Sequence, residues 1–248
     1  MYAIINTSIR QAMTPKWLVS IFSAAAIVFV GAADNLLYAL QQETLLAAGY
    51  SRTFIHDALS SDMVICFISI FAVLPFSGTY IDDLKGKFAR FYLIRSDYFG
   101  YLFSRIFTSF LCGGSAIFLG GLLSWGGATL LFRPLEQVAG KEATTAQVWP
   151  MLVLLFLNGG LWAVVGMAMS TLMESKYIAY CSPFVIYYLL VILCERYIPD
   201  AFLLYPPNWV KPDLWPYGTW GVGIFLVEVT VLFGILFAFR AGRRLREL

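Results

Sequence analysis

Asp82 and Asp83 stand side by side at the head of the most highly charged stretch of the chain, and Lys85, Lys87, Arg90, Arg95 and Arg105 follow within residues 80–105. Adjacent carboxylates at a helix start favour its dipole and can cap the free amides there. A run of bases behind them suits acidic lipid headgroups. A second acid, Glu228, lies alone in the apolar run FLVEVTVLF. Such an acid is costly in hydrocarbon, so it reads either as a lining or coupling residue of a transport path or as a clamp to another helix through a group such as Asn158. The rest of the chemical equipment does not assemble into a catalyst. His56 is the single histidine, and no His–Glu metal spacing accompanies it. Cys66, Cys112, Cys181 and Cys194 lie in or beside apolar runs without C-x-x-C spacing, so they read as small apolar residues. A phosphate-cradling G-x-x-x-x-G-K is missing: Ile81 stands at the first glycine position before Gly86-Lys87, and Leu135 before Gly140-Lys141. No enzyme activity, metal or nucleotide cofactor is expected of this chain itself.

The elements that must position these residues are membrane helices. Of 248 residues, 60% are hydrophobic and 13% charged, with a mean hydropathy of +0.75. A soluble domain has about a quarter of its residues charged. The net charge of +2 gives no reason to expect a nucleic-acid partner. A helical crossing needs about 20 apolar residues, and six segments qualify: 17–37, 62–79, 106–132, 148–172, 177–194 and 220–239. The third and fourth exceed the need and should tilt or overrun the bilayer. Pro183 should kink the fifth, with its neighbours satisfying the freed carbonyl. The expected fold is therefore all-α, a single polytopic domain over 1–248 with an amphipathic lead-in at 1–16.

Orientation follows from the bases. Arg10, Lys16, the five in 80–105, Lys176, Arg240, Arg243, Arg244 and Arg246 fall on one side of a six-span layout. Arg52, Arg133, Lys141, Arg196 and Lys211 fall on the other. The richer side is cytoplasmic, which places both termini and the 80–105 loop in the cytoplasm. Three segments then lie outside. The first, 38–61, has room for a short interfacial helix, and the second, 133–147, is an ordinary polar loop. The third, 195–219, sets Pro199, Pro206, Pro207, Pro212 and Pro216 among Tyr205, Trp209, Trp215 and Tyr217. Its prolines forbid one continuous helix while its aromatics favour the headgroup region. It reads as a broken, partly re-entrant element or, equally, as a stiff connector with an aromatic anchor. Paired glycines, Gly113-Gly114, Gly120-Gly121 and Gly126-Gly127, with Gly159 and Gly166, mark close helix packing.

Within the basic loop, Leu84, Phe88, Phe91 and Tyr92 share one face of a helix over 84–95, and Lys85, Lys87, Arg90 and Arg95 occupy the remaining arc. Asp82 and Asp83 are expected at its N-terminus. Such a helix can lie on acidic lipid, or it can act as a lever docked into a cytosolic motor domain. The plan and this loop together resemble the type-two ATP-binding-cassette permeases, the membrane subunits of bacterial exporters. The matching residues are the acidic pair Asp82-Asp83, Gly86, the apolar run Phe91-Tyr92-Leu93-Ile94, Ser96, then Tyr101 and Arg105 opening the third span. Glutamates are commoner than Asp82 and Asp83 in that family, and lysine is frequent where Arg105 stands. A looser likeness is to exporters of antimicrobial peptides, including self-immunity systems.

The resemblance implies that Asp82, Asp83, Lys85, Gly86, Lys87, Phe88, Arg90 and Phe91 form a coupling helix against an ATPase. It also implies re-entrant outer helices in 195–219. The implied partners are a cytosolic ATPase subunit that binds ATP and magnesium, a second identical or related permease, and membrane lipid, all at a bacterial plasma membrane. The implied activity is export of an amphipathic or hydrophobic peptide, lipid or drug-like molecule. Two other readings stay open: a proton-coupled carrier centred on Glu228, and a scaffold or sensor subunit that transports nothing.

Overall fold

The structure, a computed structural model, describes residues 7–8, 10–41, 46–86, 98–136 and 147–245. They include the α-helices α1 Pro15–Gly31, α2 Ala33–Gln41, α3 Tyr50–Leu59, α4 Asp62–Phe71, α5 Thr79–Lys85, α6 Tyr98–Phe132, α7 Val148–Met173, α8 Lys176–Arg196 and α9 Thr219–Leu245. The extended pairing found among these residues is a single bridge between Leu46 and Glu136. Four helices, α6 to α9, are long and apolar enough to cross a membrane. Two bent pairs, α1 with α2 at 61° and α3 with α4 at 62°, raise the number to six if each pair is one span.

Helix α7 is the axis of the bundle. Of its most apolar window 83% is buried, against 28% for α8 and for α9, so those two present most of their surface outward. Gln11 bonds Arg105 near the start of α6, whereas the Leu46 N–H bonds the Leu135 carbonyl just past its other end. At 1.5 Å per residue, the 35 residues of α6 span about 50 Å. The chain therefore runs the length of the bundle between residues 11 and 46, and returns before Asp83 meets Arg105. The start and the end of the described chain lie at this Arg105 end, because Arg244 pairs with Glu174 beside Lys176, and Lys176 pairs with Asp82.

Prolines explain where helices break. The 62–79 segment is not one helix: α4 ends at Phe71, turns occupy 72–78, and α5 begins at Thr79. Pro75 lacks the N–H that would bond the Phe71 carbonyl and crowds that oxygen. The Phe71 carbonyl accepts the Ser20 hydroxyl of α1 at 2.7 Å, alongside a longer bond from the Leu74 N–H at 3.4 Å. Pro183, by contrast, sits inside an unbroken α8. The carbonyl it frees, at Ala179, packs on Gly166, where an added Cβ would lie 2.5 Å from that oxygen. The bends at Ala32 and at Ser60-Ser61 abut, since a Cβ on Gly31 would stand 3.0 Å from Ser61 Oγ. The 38–61 segment is correspondingly more than interfacial: α3 buries Phe54, Ile55, Ala58 and Leu59 in the bundle.

Gly113, Gly114, Gly120, Gly121 and Gly127 of α6 and Gly159 and Gly166 of α7 lie at packing faces, whereas Gly126 is exposed and a Cβ there would meet nothing within 4 Å. A Cβ on Gly113 would strike Ala163 Cβ and lie 2.8 Å from the Ala72 carbonyl oxygen and 2.9 Å from that of Gly159. Ser77 and Ser109 both donate to the Ala163 carbonyl, at 3.0 and 3.2 Å, which pins the turn after α4 and α6 to the same point of α7. At the far end, residues 202–214 form three short 3-10 turns rather than helices. Trp209 is 3% exposed and stacks on Trp162 of α7 with ring centroids 5.8 Å apart. The indole N–H of Trp209 bonds the Leu203 carbonyl, and that of Trp215 bonds the Asn208 carbonyl.

Candidate functional site

The acidic pair lies within α5, and residues 87–95 of the helix expected over 84–95 lie outside the described residues. Helix α5 starts at Thr79 and is capped at Gly86, whose N–H bonds the Asp82 carbonyl at 2.8 Å. Residues one apart on a helix point about 100° away from each other, so the two acids part company. Asp82 is exposed and forms an ion pair with Lys176 at the start of α8. Asp83 turns inward, is 7% exposed, and pairs with Arg105, which is 1% exposed.

Arg105 is the centre of the cluster. Besides Asp83 it donates to the Gln11 side-chain oxygen at 3.2 Å. Its guanidinium lies 5.3 Å from the ring centroids of both Phe76 and Tyr101. The Tyr101 hydroxyl donates to Asp83 at 3.1 Å. Beside it Ser8 and Ser104 share a hydrogen bond at 3.2 Å. A planar, permanently charged guanidinium between two aromatic faces and a carboxylate is a use that lysine would not reproduce. Burial pushes the Asp83 carboxyl up from the ordinary carboxylate range, while the Arg105 charge and the Tyr101 hydroxyl pull it down. The apolar floor comes from Tyr80, Ile81, Leu102 and, on α9, Phe237 and Ala241.

A wetter ring surrounds this core. Glu174, in the left-handed turn between α7 and α8, pairs with Arg244 of α9, and the hydrogen bond from Arg244 holds its carboxyl below the ordinary range. Asp82–Lys176 ties α5 to α8. Through these contacts α5 is joined to α6 directly, to the N-terminal segment through Arg105, and to α8. What the arrangement can do is transmit a displacement of α5 to the long helices. It holds no nucleophile and base poised for chemistry among the described residues.

The other sequence-derived candidates fall in different places. Lys85 is exposed in the last turn of α5, and Gly86 is exposed at its cap. Lys87, Phe88, Arg90 and Phe91 lie outside the described residues. Asn158 is fully buried in α7, and its amide nitrogen and oxygen have no hydrogen-bond partner among the described residues. Glu228 is exposed on α9 along a groove against α7 and does not meet Asn158. Sequence reading missed the roles of Gln11, Lys176 and Glu174, and it placed Arg105 in the loop before the third span. The available signal was Arg105 itself: a charge flanked by YLFS and IFTSF belongs inside a helix only with a partner. Compared with protein-family models, curated proteins and solved structures, the chain matches none.

Proposed function

We propose that the chain is the membrane permease subunit of an ATP-driven exporter built on the type-two ATP-binding-cassette plan, with six spans and both termini in the cytoplasm of a bacterial cell. The observation that carries this reading is the clamp of Asp83 by Arg105 and Tyr101. It fastens the short helix α5, which runs into the basic 87–95 segment, to the longest helix of the bundle. A lipid-resting loop has no need of a buried ion pair at its root, whereas a lever does. A separate ATPase subunit would bind ATP and magnesium and, on closing, push the coupling region formed by Asp82, Asp83, Lys85, Gly86, Lys87, Phe88, Arg90 and Phe91. Helix α6 would follow through Asp83–Arg105, and α8 through Asp82–Lys176. Their movement against a second permease, identical or related, would release an amphipathic or hydrophobic substrate outward.

The crowding of bases around the Arg105 end supports a cytoplasmic assignment for it. The test is purification of the tagged chain in mild detergent at native expression, with mass spectrometry of what accompanies it. A stoichiometric soluble ATPase, lost when Lys87, Phe88 and Arg90 are changed together, is the expected result. An intact, monodisperse chain with no ATPase would overturn the reading and favour the carrier or the scaffold.

A further inference from the structure

We propose that the groove between α7 and α9 binds an amphipathic organic cation, with Glu228 as its counter-ion. The groove encloses about 800 Å³, within the range of drug-sized sites. Its walls are apolar and aromatic: Trp149, Val153 and Leu157 from α7 face Trp220 and Ile224 from α9, and Glu228 closes one end. Trp149 is held edge-on by Trp125 with ring centroids 5.4 Å apart. Its exposure of 57%, and the 80% exposure of Trp220, leave both indoles open at the mouth. Indole faces are the best neutral partners for a cation.

Charge decides the occupant. Glu228 is exposed on a membrane-crossing helix, nine residues from its start, or about 14 Å along the axis. That is deeper than the headgroup layer, so an ammonium on a lipid headgroup is poorly placed to meet it. Among the described residues Glu228 has no hydrogen-bond or ion-pair partner, and none of the groove's lining residues is basic. A second copy of the chain would bring no remedy. Its outward helix α8 offers Phe184, Val185, Tyr188, Leu189 and Ile192 at comparable depth, and no Lys or Arg lies between Lys176 and Arg196. A self-interface here would bury the carboxylate without a counter-charge, the arrangement that apolar interiors penalise most. A cation with an apolar body satisfies the acid and the groove together. Access is lateral, from the bilayer, where such molecules concentrate. Binding is a property of this chain alone and does not depend on the ATPase reading.

Gly223 supplies an independent handle. A Cβ there would meet only Leu157 Cδ1, at 3.6 Å, so a larger side chain can fill the groove without striking backbone. The experiment uses the full chain in phosphatidylcholine nanodiscs, with tetraphenylphosphonium as probe and tetraphenylborate, its anionic counterpart of like shape, as competitor. Saturable binding of the cation is expected, weakened roughly ten-fold or more in Glu228→Gln and in Gly223→Leu, with no competition from tetraphenylborate. Should Glu228→Gln fail to fold, Gly223→Leu, which retains the acid, decides. Unchanged affinity in Gly223→Leu or in a folded Glu228→Gln, or equal competition by the anion, would overturn the proposal. So would disulfide crosslinking of two ligand-free chains through Ile224→Cys, which would make the groove a self-interface.

Discussion

Removing one partner of the Asp83–Arg105 pair should reveal how strongly α5 is anchored, and the two single variants should differ in their response to pH. Both groups are almost fully buried, and stripping a buried ion of its partner costs about 3–5 kcal/mol. Arg105→Met also forfeits the two aromatic faces at 5.3 Å, about 0.5–1 kcal/mol each. The double variant, Asp83→Leu with Arg105→Met, leaves no uncompensated charge and should recover all but about 1–2 kcal/mol, chiefly the lost ring contacts. On these figures the coupling energy should be about 5 kcal/mol or more. In Arg105→Met the remaining carboxyl is buried without the charge that lowered its pKa. Its folded pKa then lies above the unfolded one, so the folded state holds the extra proton and stability falls as pH rises through that interval. Acidification should rescue Arg105→Met. It should not rescue Asp83→Leu, whose orphaned guanidinium cannot shed its proton. Reversible unfolding in mixed micelles, followed by circular dichroism at pH 8 and pH 5.5, measures both effects. Additive single-variant costs, or identical pH profiles for the two variants, would refute the reasoning.

Three further outcomes are expected. Ser20→Ala should cost about 1 kcal/mol in the native chain and close to nothing beside Pro75→Ala, because residue 75 then supplies an N–H to the Phe71 carbonyl; the same unfolding assay measures this double cycle. Gly113→Ala should destabilise strongly, since backbone oxygens of Ala72 and Gly159 stand within 2.9 Å of the new atom. Gly126→Ala meets nothing within 4 Å at an exposed helical site and should stabilise by about 0.5–1 kcal/mol; thermal melts of the two variants in detergent separate them. Glu174→Gln should lose its effect only in acid. Arg244 depresses the Glu174 pKa, so the contribution is full above the unfolded value, about 4.3, and disappears as pH falls through the folded one; comparing native and variant melts between pH 7 and pH 3 tests it.

Hydropathy located the long helices well because nothing in them competes with burial. The 148–172 segment became α7 Val148–Met173, and 177–194 became α8 Lys176–Arg196. The failures share a cause. Helix α6 begins at Tyr98 instead of 106 because Arg105, which looks like a loop charge, is neutralised by a partner distant in sequence. The 62–79 segment reads as a span by composition, yet Pro75 breaks it, and Ser20 on another helix makes the break tolerable. The 17–37 segment reads as one span, yet it bends at Ala32, where Gly31 packs on Ser61. Glu228 was legible as an acid within the apolar helix α9. Its separation from Asn158 was not, because a single helix pattern does not say which neighbour each face meets. The clustering of bases at the Arg105 end was legible from counting alone.

The stacking of Trp209 on Trp162 bears on how the chain is made. Helix α7 leaves the ribosome and can pair with α6 through Gly113, Gly159 and the Ala163 carbonyl while residues beyond α8 are still unsynthesised. The Asp83–Arg105 pair can likewise close early, since both residues precede α7. The opposite end cannot. Until Trp209 emerges, the indole of Trp162, at the axis of the bundle, faces lipid or a chaperoning surface where its native stacking partner will later lie. The Asp83–Arg105 contact can thus form before the Trp162–Trp209 stack, whereas the Arg105 end is completed only when Phe237, Ala241 and Arg244 of α9 arrive. The interval between the two contacts covers the synthesis of the rest of α6, of α7 and of α8.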